Sequence, residues 1–536
     1  MSFVLPSSRR PRPSFLAHLS SILFLTTVLS SLAFGAPKNN VRPSDPNSLP
    51  GFGPITALPG YRQPLPNGTQ GGYLPLYKSK SQCVTAIYFI LVPSANDPRT
   101  DPVVLWLQGG PGTSGLIGFF LENGPVTAVQ SDGAFVRNEF SWHNNATYIV
   151  VDQPAPVGMS FVTDDKCLPE SEEEAIQNLG DSISLLLRSY FPSLKDLPFF
   201  VFGESYGGKY VPELAVDIRE RHSWINLQGV GVGDGWVDPP TQQMTYKEFA
   251  FQHGLINSPD TKDVERLEQE CLEALNDIIT PDDWRRANDV CSRIEEHIVN
   301  NSRANMYDVR VYGDYDNAVL TELPVQLRLC GLSALLFLRY LRRPEVLTAM
   351  NVDSRAGPWS EDNSAIAYIL GGWEQRPATH LYTQLLQNGT RTLLYNGMYD
   401  MDCNMIGTAR WMLNMEWNLI DEFKATKRRP WSIKNKKVSK MLPSTEGANG
   451  KQPSEEKYVE EIVGGFVEVG SLTHVVINQA GHLVPMDVPH IAAHMLYSFT
   501  RGCSFADDVC QDPITAAALH KGIVQAQVPE FVDLVV

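Results

Sequence analysis

The sequence predicts an α/β fold, a mostly parallel sheet covered by helices on both faces. Two observations carry this. Short, wholly apolar runs recur along the 536 residues and alternate with segments of helical period. One such run, Phe199–Phe202, ends abruptly in Gly203-Glu204-Ser205-Tyr206-Gly207, and a helix-like pattern starts straight after it. A corner that sharp needs glycines around it, because side chains there would collide.

The elements follow in order. Residues 1–35 read as a secretory leader: Arg9, Arg10 and Arg12 precede the short apolar stretch Ile22–Leu32, and Ala33-Phe34-Gly35 offers small residues for cleavage. Cleavage after Gly35 leaves 501 residues and, with three arginines gone, moves the formal charge from −16 to −19. Residues 36–72, rich in Pro, Gly and Asn, read as an extended lead-in. The apolar runs Val84–Leu91, Val103–Leu107, Tyr148–Val151, Phe199–Phe202 and Leu227–Val232 read as buried strands. Glu172–Tyr190 and Lys209–Arg221 read as helices; Val211, Leu214, Ala215 and Ile218 line one face of the second. Residues 73–236 thus form the first part of the core.

From 237 to 345 the pattern turns helical and charged, as expected of an inserted cap over an active site. Cys271 and Cys291 fall on neighbouring helices of this insertion and are candidates for a disulfide. Residues 346–536 complete the core with the strand-like Arg391–Gly397 and Thr473–Gln479. They are interrupted at 424–457 by a basic, then low-complexity, stretch expected to be a long solvated loop.

Composition excludes some functions. The acidic chain has no tract suited to nucleic acid. No other segment has the apolar length of a membrane span, so no stable insertion is expected once the leader is removed. No Cys/His cluster has metal-ligand spacing, and no cofactor is called for. The eight cysteines suit an oxidising compartment. So do the glycan acceptor sequences at Asn67, Asn145, Asn300 and Asn388. The expected location is therefore the secretory pathway, with export or an acidic vacuole or lysosome as the end point. Nothing in the sequence indicates an oligomeric state.

The Gly-walled corner has the form of a nucleophile elbow, with Ser205 at its tip. A serine hydroxyl needs a base to take its proton and a third group to hold that base. On an α/β-hydrolase sheet these follow in the order Asp, then His, each after a later strand. Asp400 lies just after Arg391–Gly397, and His482 just after Thr473–Gln479. Asp402 is the alternative to Asp400. A developing oxyanion needs two fixed N–H groups. Tyr206, after the nucleophile, supplies one; Gly110, in the loop "WLQGGPGTSG" after an earlier strand, supplies the other. Glu204, beside the serine, would repel a substrate carboxylate when ionised but can donate to it when protonated. That predicts an exopeptidase that binds more weakly as pH rises.

Six stretches in order, "WLQGGPGTSGLIGFFLENGP", "YIVVDQPAPVGMSF", "GESYGGKYVPELA", "GVGDGWVDP", "YNGMYDMDCN" and "AGHLVPMDVP", resemble the successive motifs of the serine carboxypeptidases. The resemblance spans roughly Tyr73 to Thr500 and looks closest to the vitellogenic carboxypeptidase-like branch. It implies an α/β-hydrolase fold and removal of C-terminal residues from peptides under acidic conditions. Ser205, His482 and Asp400 would be nucleophile, base and orienter, with Gly110 and Tyr206 forming the oxyanion hole. Trp106, Gln108, Gly109 and Glu204 would receive the terminal carboxylate of a peptide or protein substrate. Gln108 stands where the family commonly has Asn, and Thr113-Ser114 where a cysteine often sits. Cys403 matches a family cysteine that need not be oxidised. Two other outcomes stay open at this stage: an acyltransferase working through the same triad, and a non-catalytic binding protein on the scaffold.

Overall fold

The computed structural model describes residues 49–78, 82–128, 135–313, 332–436 and 458–506. The expected leader and residues 36–48 of the lead-in lie outside them. The strands are β1 (Phe52–Pro54), β2 (Gln70–Lys78), β3 (Cys83–Val92), β4 (Val103–Leu107), β5 (Val126–Ala128), β6 (Phe135–Arg137), β7 (Thr147–Asp152), β8 (Phe161–Val162), β9 (Phe199–Ser205), β10 (Leu227–Gly235), β11 (Arg391–Gly397), β12 (Arg429–Lys436), β13 (Tyr458–Val469) and β14 (Leu472–Ile477). Twelve of them form one sheet in the order β1-β2-β3-β7-β4-β9-β10-β11-β14-β13-β12, with β8 on β3; β5 and β6 pair apart. The centre, from β7 through β14, is parallel, and antiparallel strands extend it on both sides. This is the α/β-hydrolase arrangement of a mixed central sheet between helical layers.

Alternation along the central strands divides their side chains between two buried layers. Val103, Leu105 and Leu107 of β4 join Ile149, Val151, Phe199 and Val201 under the helices Glu172–Leu185 and Gly207–Arg221. Val104, Trp106, Tyr148, Val150, Phe200 and Phe202 face the other way, against Phe119, Phe120, Met495 and Phe499. Burial on both faces is why these runs carried no polar alternation in the sequence.

Between β10 and β11 the chain is helical. The pair Ser258–Asn276 and Pro281–Ser302 each opens on a capping box, Asn257/Asp260 and Thr280/Asp283, with proline in the first turn. The Cys271–Cys291 disulfide joins them, and Cys83–Cys167 ties β3 to the turn before Glu172. Cys503 is also disulfide-bonded, whereas Cys403 is a buried free thiol. Helices continue past 345, through Ser364–Leu370 and Thr379–Gln387, before β11 restores the sheet. These late helices are short and punctuated by Pro and Gly, so they give no long periodic signal.

The basic stretch expected to be a loop differs more. Its first part is β12, paired antiparallel with β13, with Trp431 and Ile433 buried. The Trp-x-Ile alternation is a two-residue period hidden among lysines and arginines. Residues 437–457 lie outside the description. Among the described residues, no helix is long and apolar enough to cross a membrane.

Candidate active site

β9 brings Ser205 to the end of the sheet with φ +58, a left-handed backbone that serine rarely adopts. The helix Gly207–Arg221 begins two residues later, and Trp236 N–H donates to the Ser205 carbonyl at 2.8 Å. The loop after β4 packs directly on this corner. A Cβ on Gly109 would lie 2.6 Å from Tyr206 N and 2.7 Å from Ser205 Cβ, so only glycine fits. Gly110 follows with φ +112. The segments carrying the two expected oxyanion donors therefore share one corner with the serine.

Asp400 and His482 come from loops after β11 and β14 and are both buried. Asp400 accepts backbone N–H bonds from Asp402 at 3.0 Å and Cys403 at 3.1 Å, which fix its carboxylate. Its Oδ2 lies 3.0 Å from His482 Nδ1. Burial pulls the imidazole pKa down, but the charge and hydrogen bond of Asp400, with Asp402 and Glu122, outweigh it and leave the net shift upward. Nε2, the other ring nitrogen, is buried and makes no hydrogen bond to the described residues, Ser205 included. Such contacts often close only around substrate. Asp402, the alternative orienter, instead receives the Tyr246 hydroxyl at 3.4 Å.

Beside Ser205 runs a chain of buried polar groups. Trp106 Nε1 donates to Gln108 Oε1 at 2.9 Å, and Gln108 Nε2 donates to Glu204 Oε1 at 2.5 Å. Glu122, also buried, acts on Glu204 from close by, and two carboxyls so placed away from water do not both ionise. Burial, then the charge of Glu122, pushes Glu204 well above the usual carboxylate range. Burial likewise raises Glu122 to about 7. The four residues expected to receive a carboxylate, Trp106, Gln108, Gly109 and Glu204, are therefore close neighbours.

The comparisons with known proteins agree. A family model described as serine carboxypeptidase matches residues 59–502. The chain belongs to the serine carboxypeptidase family. Relatives include serine carboxypeptidase S10 family member 2 of Dictyostelium discoideum, 29% identical over 84% of this chain and 77% of the relative. Serine carboxypeptidase-like 48 of Arabidopsis thaliana is 30% identical over 81% and 78%. The human probable serine carboxypeptidase CPVL is 27% identical over 80% and 83%. Among solved structures, the prohormone-processing carboxypeptidase KEX1(delta)p of Saccharomyces cerevisiae superposes with TM-score 0.65 at 22% identity, covering 83% of this chain and 93% of that one. The protein is a serine-type carboxypeptidase, a hydrolase acting on peptides.

Sequence reasoning missed three features of this carboxypeptidase site. Glu122, in "FFLENGP", gave no signal except its place in a family motif; only folding brings it onto Glu204. Lys209, one turn beyond the serine, donates three 2.7 Å bonds to the carbonyls of Trp373, Glu374 and Arg376, anchoring the loop of the helical connection there. The segment Met306–Arg310 straps the loops that carry Asp400 and His482. The Met306 carbonyl accepts from Met401 N at 2.9 Å, and the Tyr307 carbonyl accepts from His482 N at 2.7 Å. The Tyr307 ring packs 4.7 Å from the imidazole. Arg310 donates to the Gln479 carbonyl at 3.0 Å and to Asp487 at 3.1 Å.

One sequence expectation needs correcting. Asn145 is only 8% exposed and does not present a surface for a bulky glycan in the folded chain. Asn67, Asn300 and Asn388 are exposed.

Proposed function

We propose that Ser205, His482 and Asp400 carry out the hydrolysis, with Gly110 and Tyr206 as oxyanion donors. Ser205 Oγ attacks the carbonyl carbon of the last peptide bond while its proton passes to His482 Nε2. The N–H groups of Gly110 and Tyr206 receive the negative oxygen of the tetrahedral intermediate. Collapse breaks the C–N bond, His482 returns the proton to the leaving amine, and the terminal amino acid departs. Water then attacks the acyl-enzyme, giving its proton to His482, and Ser205 is released. Asp400 holds the imidazole through Nδ1 throughout.

Preference for chain ends falls to Gln108, Gly109, Trp106 and the protonated Glu204–Glu122 pair, which donate hydrogen bonds to the terminal carboxylate. That pair beside the nucleophile is the observation that carries the assignment. It also makes acidic pH the working range. The leader-like start and the disulfides, Cys83–Cys167 and Cys271–Cys291 among them, support a secretory route, to the exterior or to an acidic vacuole or lysosome. Asn67, Asn300 and Asn388 are the glycan acceptors that suit it.

The test compares N-blocked dipeptides with their C-terminal amides between pH 4 and 8. The expected result is preference for the free acid at low pH and loss of that preference as pH rises. Equal turnover of acid and amide at every pH would remove the carboxylate-binding role from Glu204.

A further inference from the structure

Close to Asp400 lies a second buried acid that takes no part in these proton transfers. Asp234 is the last residue but one of β10, the strand between the elbow strand β9 and the strand β11 that leads to Asp400. It is wholly buried and holds φ +43, strained for a residue other than glycine. Its Oδ1 accepts from Gly397 N at 2.9 Å and, more weakly, from Asn396 Nδ2 at 3.4 Å. Among the described residues, its Oδ2 receives no donor, while its carboxyl is in hydrogen-bond contact with Asp400.

Two carboxylates in contact away from water cannot both be ionised, and two ionised ones cannot form that bond. The donor sets differ. Asp400 already accepts from Asp402 N, Cys403 N and His482 Nδ1, all within about 3.1 Å, which suits a carboxylate. Asp234 has one good donor, which suits a neutral acid. We propose that Asp234 is a positioning residue of the triad: it carries the proton between the two carboxyls and donates it from Oδ2 to Asp400, fixing the carboxylate that orients His482.

The buried oxygen with no donor is then a donor itself. The other titratable groups facing Asp234 are Glu204 at the end of β9, Tyr395 on β11 and Cys403 beside Asp400. None is a cation that would favour the ionised form. Burial, followed by the charge of Asp400, accordingly pushes Asp234 well above the usual carboxylate range.

The proposal rests on the triad assignment, and its experiment separates the two. The rate at which a fluorophosphonate without a terminal carboxylate labels Ser205 is measured from pH 5 to 10, so Glu204 and Glu122 have no substrate carboxylate to receive. In the wild type, labelling falls at alkaline pH as Asp234 loses its proton. In Asp234→Asn, which keeps a donor but cannot ionise, that fall is absent. Asp234→Ala, which lacks the donor, labels about tenfold or more slowly than the Asn variant at pH 6. Profiles of the same shape in wild type and Asn variant, or equal labelling of folded Ala and Asn variants, would overturn the proposal. Should the Ala variant fail to fold by circular dichroism, the Asn profile decides alone. No labelling of the wild type at any pH would remove the triad assignment itself.

Discussion

Replacing Glu122 by Gln tests the acid pair directly. Glu122 is buried against Glu204 with its pKa raised to about 7 from an ordinary 4.5, burial being the largest cause. If a terminal carboxylate binds only to the fully protonated pair, its KM is flat well below pH 7 and rises about tenfold per pH unit above it. Between pH 7 and 9 that is about a hundredfold for an N-blocked dipeptide, with no such rise for its amide. Gln cannot ionise, so in the variant the break near pH 7 disappears, and any rise is displaced to the pH where Glu204 titrates alone. Stability changes with the same sign. A folded-state pKa above the unfolded one contributes stability that is whole below the unfolded value and is lost as pH climbs through the folded value. For Glu122 the window is roughly pH 4.5 to 7 and the loss about 3 kcal/mol. Urea titrations at pH 5 and 8 should show wild type losing about that much more than Glu122→Gln. The same KM break in both proteins, or an equal rise with the amide, would refute the reasoning.

Three further outcomes follow from named contacts. Asp400→Asn should lower kcat by about 10⁴-fold while barely changing KM, because the imidazole loses its orienting carboxylate; steady-state kinetics with the free-acid dipeptide check it. Gly481→Ala should lower both activity and melting temperature, since its Cβ would come within 2.4 Å of the Tyr307 carbonyl that holds His482; the expected destabilisation is about 1–3 kcal/mol. Trp431→Ala should cost about 3–5 kcal/mol in a denaturant titration, because the ring is buried on β12 against Phe505, 5.1 Å away. An unfolded loop there would give almost no change.

The sheet was legible where burial on both faces left continuous apolar runs, as at Val103–Leu107 and Phe199–Phe202. The elbow was legible because steric crowding restricts which residues can occupy it. Ser205, Asp400 and His482 could be proposed as a triad because the first ends a strand, the other two follow strands, and order along the chain survives in the sequence. Glu122, Asp234 and Tyr307 could not be named in the same way. Each matters through a partner distant in sequence: Glu204 for the first, Asp400 for the second, His482 for the third. A buried acid looks like any surface acid until its neighbours are known. Trp431 and Ile433 were overlooked for a related reason, since exposed lysines and arginines around them dominate the local composition.

The acid pair is also part of a wider pattern that bears on the pH at which this fold is most stable. Burial raises Asp152 and Asp487 to about 6, Glu374 to about 7, Glu213 to about 8 and Glu361 to about 9. Every one of these contributes stability that is present below the ordinary carboxylate pKa and erodes as pH rises through these values. Buried histidines act in the opposite direction. Burial lowers His143 and His494 to about 4 and His474 well below its ordinary 6.5. Each contributes stability that is whole above 6.5 and is lost as pH falls through its folded value. The carboxyls therefore penalise neutral and alkaline pH, and the histidines penalise strongly acidic pH. Their opposition leaves a stability maximum between about pH 4 and 6, where Glu122, raised to about 7, still holds its proton. Stability and the proposed terminal-carboxylate binding thus favour the same mildly acidic conditions. Denaturant midpoints measured from pH 3 to 9 should peak in that interval; a maximum at pH 8 would mean that these carboxyls are not buried as protonated groups.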